Sequence, residues 1–515
     1  MNINSTSLIS FQNFVSSHRY IFLSIFILFK ISIYSTNSIW YGDFWEHSAV
    51  IQALIENISA PSHPFFPLQT HHAFTSPYHL LVAIFSETSG IGLIHSLAIF
   101  GILNFCIFIL GLNFFIQGFA FQDARGTCFY SLLFILFLWG SQPWGFSGFF
   151  HFELISDILP YPSTFTTALS LIGLGLGFKL LRSEAITHYL FLILISTLVL
   201  LSHPLTFIFL ASGLLCQALT SKQLFSTISK RVTVFVLAVC IAMLWPYYSI
   251  FALLTGAGDV YHASNRSMYT DVLIRIWPIL VLSPLLWLAF KNKATHPIFL
   301  HLLSLIFIYF FGWFTGKYSY GRDITFIVIL IQILLASQFA HFEMRLSESF
   351  PRSILTYQVS LGVILLCLAS SWLYPTFTRS LTVLNSLVSG RTVSNQHMYK
   401  NLTFLPQYIE KGSVILSDID TSWLIPSFGG KVIGALHVQA FVADDAQRRI
   451  DLIDFFSKDA TSARRQTIIQ KYQPEYFLIN KQATKDWREL LNEIDSFSKM
   501  THVYENDQYI LFRFN

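Results

Sequence analysis

Charge is scarce in this 515-residue chain: Asp, Glu, Lys and Arg make up 12% of it, where a soluble domain carries roughly 25%. Cysteine is scarce as well. The five, Cys106, Cys128, Cys216, Cys240 and Cys367, all fall inside apolar runs, and no two stand in a CxxC spacing. That excludes a disulfide framework and a thiolate metal clip. No block of like charges occurs and the net charge is only +4, so nothing points to nucleic acid as a partner. No internal repeat is visible either, and repeated halves are the usual mark of a transporter.

What fills the chain is apolar: 53% of residues are hydrophobic and the mean hydropathy is +0.55. A globular interior cannot hide that much apolar surface, so lipid must be the second solvent. Runs of about 20 apolar residues, the length that crosses a bilayer as helix, give about eleven spans between Tyr20 and Tyr374. Those near 127–140, 189–201 and 205–219 are short, and His203-Pro204 reads as either a kink in one helix or a turn between two. The first span is too long for a signal-peptide core and lacks a small-residue cleavage site, so it reads as a retained anchor.

Positive charge orients the spans. With the N-terminus cytoplasmic, the inner loops hold Arg19, Arg125, Lys179, Arg182, Lys222, Lys230, Arg231, Lys291, Lys293, Arg345 and Arg352, against Arg266, Arg275, Lys317 and Arg322 on the other side. This positive-inside asymmetry places everything after Tyr374 outside. The expected division is a membrane domain over 1–375 and, over 376–515, a connector and a small soluble α/β domain. Its expected strands lie near 414–416, 432–433, 476–479 and 510–514, and its helices near 444–456, 463–472 and 487–497.

Chemistry-bearing residues gather in the first external loop, 41–79. Five of the 17 histidines, His47, His63, His71, His72 and His79, lie there, and the loop has no Lys or Arg. In Gly42-Asp43-Phe44-Trp45-Glu46-His47 the i, i+3, i+4 spacing puts Asp43, Glu46 and His47 on one helical face. The bland reading is that Asp43 caps a short helix. For His63 and His79, flanked by prolines, it is hydrogen bonding within turns. Adjacent His71 and His72 diverge, which argues against one metal on both. A separate external loop, Lys317-Tyr318-Ser319-Tyr320-Gly321-Arg322-Asp323, sets two cations at the mouth of a span; a guanidinium fork suits phosphate oxygens, and pairing with an acid is the structural alternative.

The segments Gly42 to His47, Leu201-Ser202-His203-Pro204-Leu205-Thr206 and Tyr320-Gly321-Arg322-Asp323, together with the many spans and the outer C-terminal domain, resemble the GT-C class of integral-membrane glycosyltransferases over nearly the whole chain. The resemblance implies a multi-pass protein of a bacterial inner membrane that takes sugar from a polyprenyl-phosphate donor to a glycan, lipid or protein acceptor. It implies Asp43 as catalytic base with Glu46 beside it, and Arg322 with Lys317 on the donor phosphate. His47, His71, His72, His203 and Tyr320 would line the acceptor and donor pocket. No cofactor is firmly implied; a divalent metal has room there. The chain departs from the class in spacing its first-loop acids three apart, and it has no sequon-recognising motif, which speaks against protein N-glycosylation. Phosphate is a good leaving group, so one base and one cation site suffice for inverting transfer, whereas a glycosidase needs a carboxylate pair with one acting as acid. The competing classes are a transporter or flippase of a lipid-linked or anionic solute, and a non-catalytic envelope-assembly protein.

Overall fold

The computed structural model describes residues 5–36, 42–119, 121–350, 353–389, 399–484 and 486–515. Tyr41 at the head of the first loop, Arg352 of the charge asymmetry and connector residues 390–398 lie outside the described residues. Among the described residues, eight helices are long and apolar enough to cross a membrane, from His18–Ser35 to Ile354–Ser386. Three shorter apolar helices, Ala124–Phe137, Ile186–Ser202 and Pro204–Leu219, fall where the short spans were expected. His203 ends one and caps the next, so His203-Pro204 is a turn between two helices.

The chain forms two compact units that interleave in sequence. A helical unit takes Met1–Thr36, Ile99–Leu244 and His262–Ser389; a mixed unit takes Asn37–Ala98, Trp245–Tyr261 and Gly390–Asn515. Residues 37–98 and 245–261 thus group with the C-terminal residues. In the helical unit, Gly173, Gly175 and Gly177 recur along helix Pro162–Leu180, where an added Cβ would press on Leu210, Phe114 and Gln217; small residues let helices approach closely in lipid. The last span does not stop at Tyr374. Helix Ile354–Val388 runs through Pro375, with the Thr376 hydroxyl donating to the Trp372 carbonyl at 2.7 Å and Arg379 forking onto buried Asp157 at 2.9 and 3.3 Å.

The mixed unit carries one five-stranded sheet in the order β2-β1-β3-β5-β4, with β1 Val414–Leu416, β2 Lys431–Val432, β3 Tyr476–Asn480, β4 Met500–Glu505 and β5 Tyr509–Phe514. The β1–β2 and β1–β3 pairs are parallel, β3–β5 and β4–β5 antiparallel. The expected strands and the helices Asp445–Phe456, Ser462–Tyr472 and Trp487–Phe497 are there; edge strand β4 is additional, and it is largely exposed and irregular at His502/Tyr504. The loop expected to be external is part of this unit. Phe65 and Phe66 are fully buried in the same core as Trp423, Val432 and Leu478, Phe65 stacks on Trp423 at 5.1 Å, and the Phe65 carbonyl accepts from the Val432 amide at 2.7 Å.

Candidate active site

Gly42 has a φ of +64°, a conformation glycine adopts without strain, and it delivers the chain into helix Phe44–Glu56. Asp43 occupies the N-cap position, yet its carboxylate makes no capping hydrogen bond. It faces His437 instead: Asp43 Oδ1 lies 3.3 Å from His437 Nδ1, and Glu46 Oε2 lies 3.2 Å from the same nitrogen. Carboxylates only accept, so Nδ1 carries the proton that both share. Of the three residues expected on one helical face, Asp43 and Glu46 converge on His437, while His47 bonds His79. His437 and Gln439, which the sequence reading missed, come from the segment just beyond the carboxyl end of parallel strand β2, the end at which open α/β sheets place their ligand sites.

Glu46 is 2% exposed and fully engaged. His72 accepts the Phe74 amide on Nδ1 at 3.2 Å, which leaves the proton on Nε2. That nitrogen donates to Gln439 Oε1 at 2.7 Å and lies 3.4 Å from Glu46 Oε1. Gln439 Nε2 in turn donates to Glu46 Oε1 at 3.3 Å and to the His437 carbonyl at 3.1 Å. Burial favours the neutral acid, but the hydrogen bonds and charge of His437 and His72 outweigh it and pull the Glu46 carboxyl down to about 2. For His437 burial opposes protonation, and the Glu46 hydrogen bond with the charges of Glu46 and Asp43 reverses this and raises the ring. The cluster stores one negative charge deep inside and presents a second, on Asp43, at a side chain 36% exposed.

The other loop histidines divide by role. His47 is buried, with its Nδ1 2.8 Å from His79 Nε2, and His79 Nδ1 meets the Ser76 hydroxyl at 2.8 Å. Burial lowers His47 to about 4 and His79 well below the usual imidazole range, so both are neutral core groups. His63 accepts the Phe65 and Phe66 amides in its turn at 3.2 Å. His71 is exposed and its neighbour His72 buried, the divergence expected of adjacent residues.

Arg322, Lys317, Tyr320 and His203 belong to the helical unit. Arg322 sits in the turn Tyr318–Asp323, its Nε donating to Asn265 Oδ1 at 2.8 Å and its Nη1 to the Ser147 carbonyl and hydroxyl, each at 3.2 Å. The guanidinium also stands 5.5 Å over the Phe146 ring. Asn265 and Ser147 are neutral groups that hold the guanidinium in place. Gly321 makes the turn possible, because a Cβ there would strike the Tyr269 ring and Met268. Lys317 is exposed, and Tyr320 sets its ring 5.9 Å from Phe311. His203 Nδ1 accepts from the Thr206 amide and meets its hydroxyl at 3.3 and 2.7 Å, capping the helix that begins at Pro204.

Asp43, Glu46 and His437 also place one ligand atom each within 4.8 Å of the others. Two carboxylate oxygens and one imidazole nitrogen suit a divalent ion of intermediate hardness, provided that His437 gives up its Nδ1 proton.

No protein-family model and no curated protein sequence matches the chain. Solved structures do match in fold. The crystal structures of ArnT from Cupriavidus metallidurans, in the apo state and bound to undecaprenyl phosphate, each align with 96% of this chain at a TM-score of 0.54 and 9% identity, covering 97% and 98% of their own chains. The archaeal oligosaccharyltransferase AglB from Archaeoglobus fulgidus, in complex with an inhibitory peptide and a dolichol-phosphate, aligns with 96% of this chain and 74% of its own at a TM-score of 0.50 and 12% identity. The fold of this chain is that of the polytopic GT-C membrane glycosyltransferases.

Proposed function

We propose that the protein is an inverting membrane glycosyltransferase that moves a sugar from a polyprenyl-phosphate donor to an acceptor hydroxyl, with Asp43 as general base. The observation that carries this reading is the contrast between the two acids on His437. Glu46 is sealed, fully hydrogen-bonded and pulled down to about 2, so it is a poor proton acceptor and serves to hold His437. Asp43 is released from capping and is partly exposed, so it can meet a hydroxyl. The fold is shared with a protein crystallised with undecaprenyl phosphate and with one in complex with a dolichol-phosphate, which supports a lipid-phosphate donor. In the helical unit, Arg322, held by Asn265 and Ser147, and exposed Lys317 are assigned to the donor phosphate. The acceptor is a glycan, lipid or protein. The membrane is a bacterial inner membrane, with the N-terminus cytoplasmic and the C-terminal residues outside.

The test is a panel of transfer assays on purified variants of unchanged melting temperature. Asp43→Asn is nearly isosteric, and loss of a general base costs about 100- to 10,000-fold in rate. Glu46→Gln should lose less rate, through displacement of His437. Arg322→Lys keeps the charge without the fork and should raise the donor KM, Arg322→Ala more so. An active Asp43→Asn beside a dead Glu46→Gln would transfer the base to Glu46; full activity in both would sink the reading.

A further inference from the structure

The mixed unit contains a cleft of about 220 Å³ with Ser62, Gln69, Thr70, His71, His72 and Tyr247 on its walls and no Lys, Arg, Asp or Glu among its lining residues. We propose that this cleft is the acceptor subsite and that it takes a single uncharged sugar ring. The assignment rests on the glycosyltransferase reading above and gives it a substrate class.

Size comes first. The space, about 220 Å³, falls short of the roughly 300 Å³ at which pockets for drug-sized ligands begin. It suits one ring better than a polyprenyl tail or a folded peptide. Charge comes second: a phosphate or a lipid headgroup anion calls for cations, and the lining has none. The groups present are hydroxyls, an amide and imidazoles, which both give and accept hydrogen bonds, as the hydroxyls of a sugar do. Thr70, on the wall, has its Oγ1 without a hydrogen bond and shielded from solvent, so a ligand hydroxyl would meet it only as the side chain turns toward the cleft, which would satisfy the oxygen. Tyr247 is fixed in place, donating its hydroxyl to the Ile58 carbonyl at 2.6 Å and packing edge-on to Trp245 at 5.1 Å, while Trp245 donates to the Thr75 carbonyl at 2.9 Å. Its ring supplies a rigid apolar wall for the C–H face of a sugar. The fourth observation ties the cleft to the chemistry. His72 lines it and is the residue whose Nε2 bonds Gln439 and approaches Glu46, so the cleft wall and the carboxylate cluster share a side chain.

The experiment is saturation-transfer NMR on the full chain in detergent micelles with methyl glycosides of glucose, galactose, mannose and N-acetylglucosamine. At least one should bind. Thr70→Val keeps the volume without the hydroxyl and should weaken binding about five- to tenfold, Thr70→Ser should retain it, and Ala60→Trp, placed on the lining to fill the space, should abolish it. Melting temperatures identify variants that fail to fold, and Thr70→Ser keeps the test open if one does. Absence of binding by all four glycosides, or binding that survives Ala60→Trp, overturns the proposal. Displacement of the bound glycoside by undecaprenyl phosphate carrying the same sugar would make the cleft the donor's and overturn the acceptor assignment; simultaneous binding supports it. Undecaprenyl phosphate alone separates the two readings: if it binds while no glycoside does, only the cleft assignment falls. If glycosides occupy the cleft while it does not bind, the cleft stands as a sugar site and the transferase reading falls.

Discussion

At the scale of single residues, Gly42 decides where Asp43 points. Its φ of +64° is costly for any residue with a Cβ, and nothing within 4 Å would obstruct one, so the penalty of Gly42→Ala is purely one of backbone conformation. We expect a loss of roughly 1 kcal/mol in stability with a larger loss of transfer rate, because relief of the strain swings Asp43 away from His437. Thermal unfolding beside initial rates will show it, and equal wild-type behaviour in both would mean that the turn has no part in the site. Part of this cluster is legible in the sequence. The i, i+3 spacing of Asp43 and Glu46 predicts their common face, and the prolines beside His63 predict its turn role, whereas His79 lies in helix Pro77–Ser89. His437 is not legible, since it lies 391 residues beyond Glu46 in a strand-end segment with no local signature. Which of Asp43 and His203 caps its helix could be read only from where each side chain bonds: His203 caps and Asp43 does not.

Secondary-structure elements show the same division between local and distant causes. The last span was expected to end at Tyr374 because Pro375, Thr376, Thr378 and Arg379 follow it, and locally those residues argue for a connector. The helix continues because a distant acid neutralises it: Arg379 meets Asp157, which is 2% exposed. Removing one partner from a buried pair leaves an uncompensated charge and costs about 3–5 kcal/mol. Arg379→Met should therefore lower the melting temperature in detergent sharply, whereas Arg379→Met combined with Asp157→Asn should recover much of the loss. Additive losses in that double-mutant cycle would show that the pair does not hold the helix. Strand β4 escaped notice for a simpler reason: Met-Thr-His-Val-Tyr-Glu at a bulged, solvent-facing edge has no apolar alternation to read.

For the whole molecule, composition and run length establish a polytopic helical protein, because a bilayer core sets the length of the apolar helices that cross it, and the polar C-terminal stretch with its short strand and helix patterns gives the small α/β part. The charge asymmetry adds an orientation, and a phosphatase reporter active only outside the cytoplasm, fused at Asn515, should be active; silence there would invert the topology. What run length cannot disclose is that the loop after the first span and the C-terminal domain fold as one unit. Hydrophobic residues of the loop, Phe65 and Phe66 above all, read as a membrane-surface segment until the core that buries them is known. The consequence can be measured. Burying two phenylalanines contributes about 3–6 kcal/mol, a large share of the 5–15 kcal/mol by which domains are usually stable, and the loop also supplies the Phe65 carbonyl to the β2 Val432 amide and the His63 and Pro64 carbonyls to the Lys431 ammonium at 2.7 and 3.2 Å. A fragment of residues 399–515 therefore has strands and helices but an open core face and a buried lysine without its acceptors. It should retain far-UV circular dichroism, bind a hydrophobic dye and unfold without a sharp transition, and joining residues 42–98 to it should restore cooperative melting. A fragment that melts sharply on its own, with no gain from the loop, would show that the C-terminal domain is independent and that Phe65 and Phe66 merely rest on it.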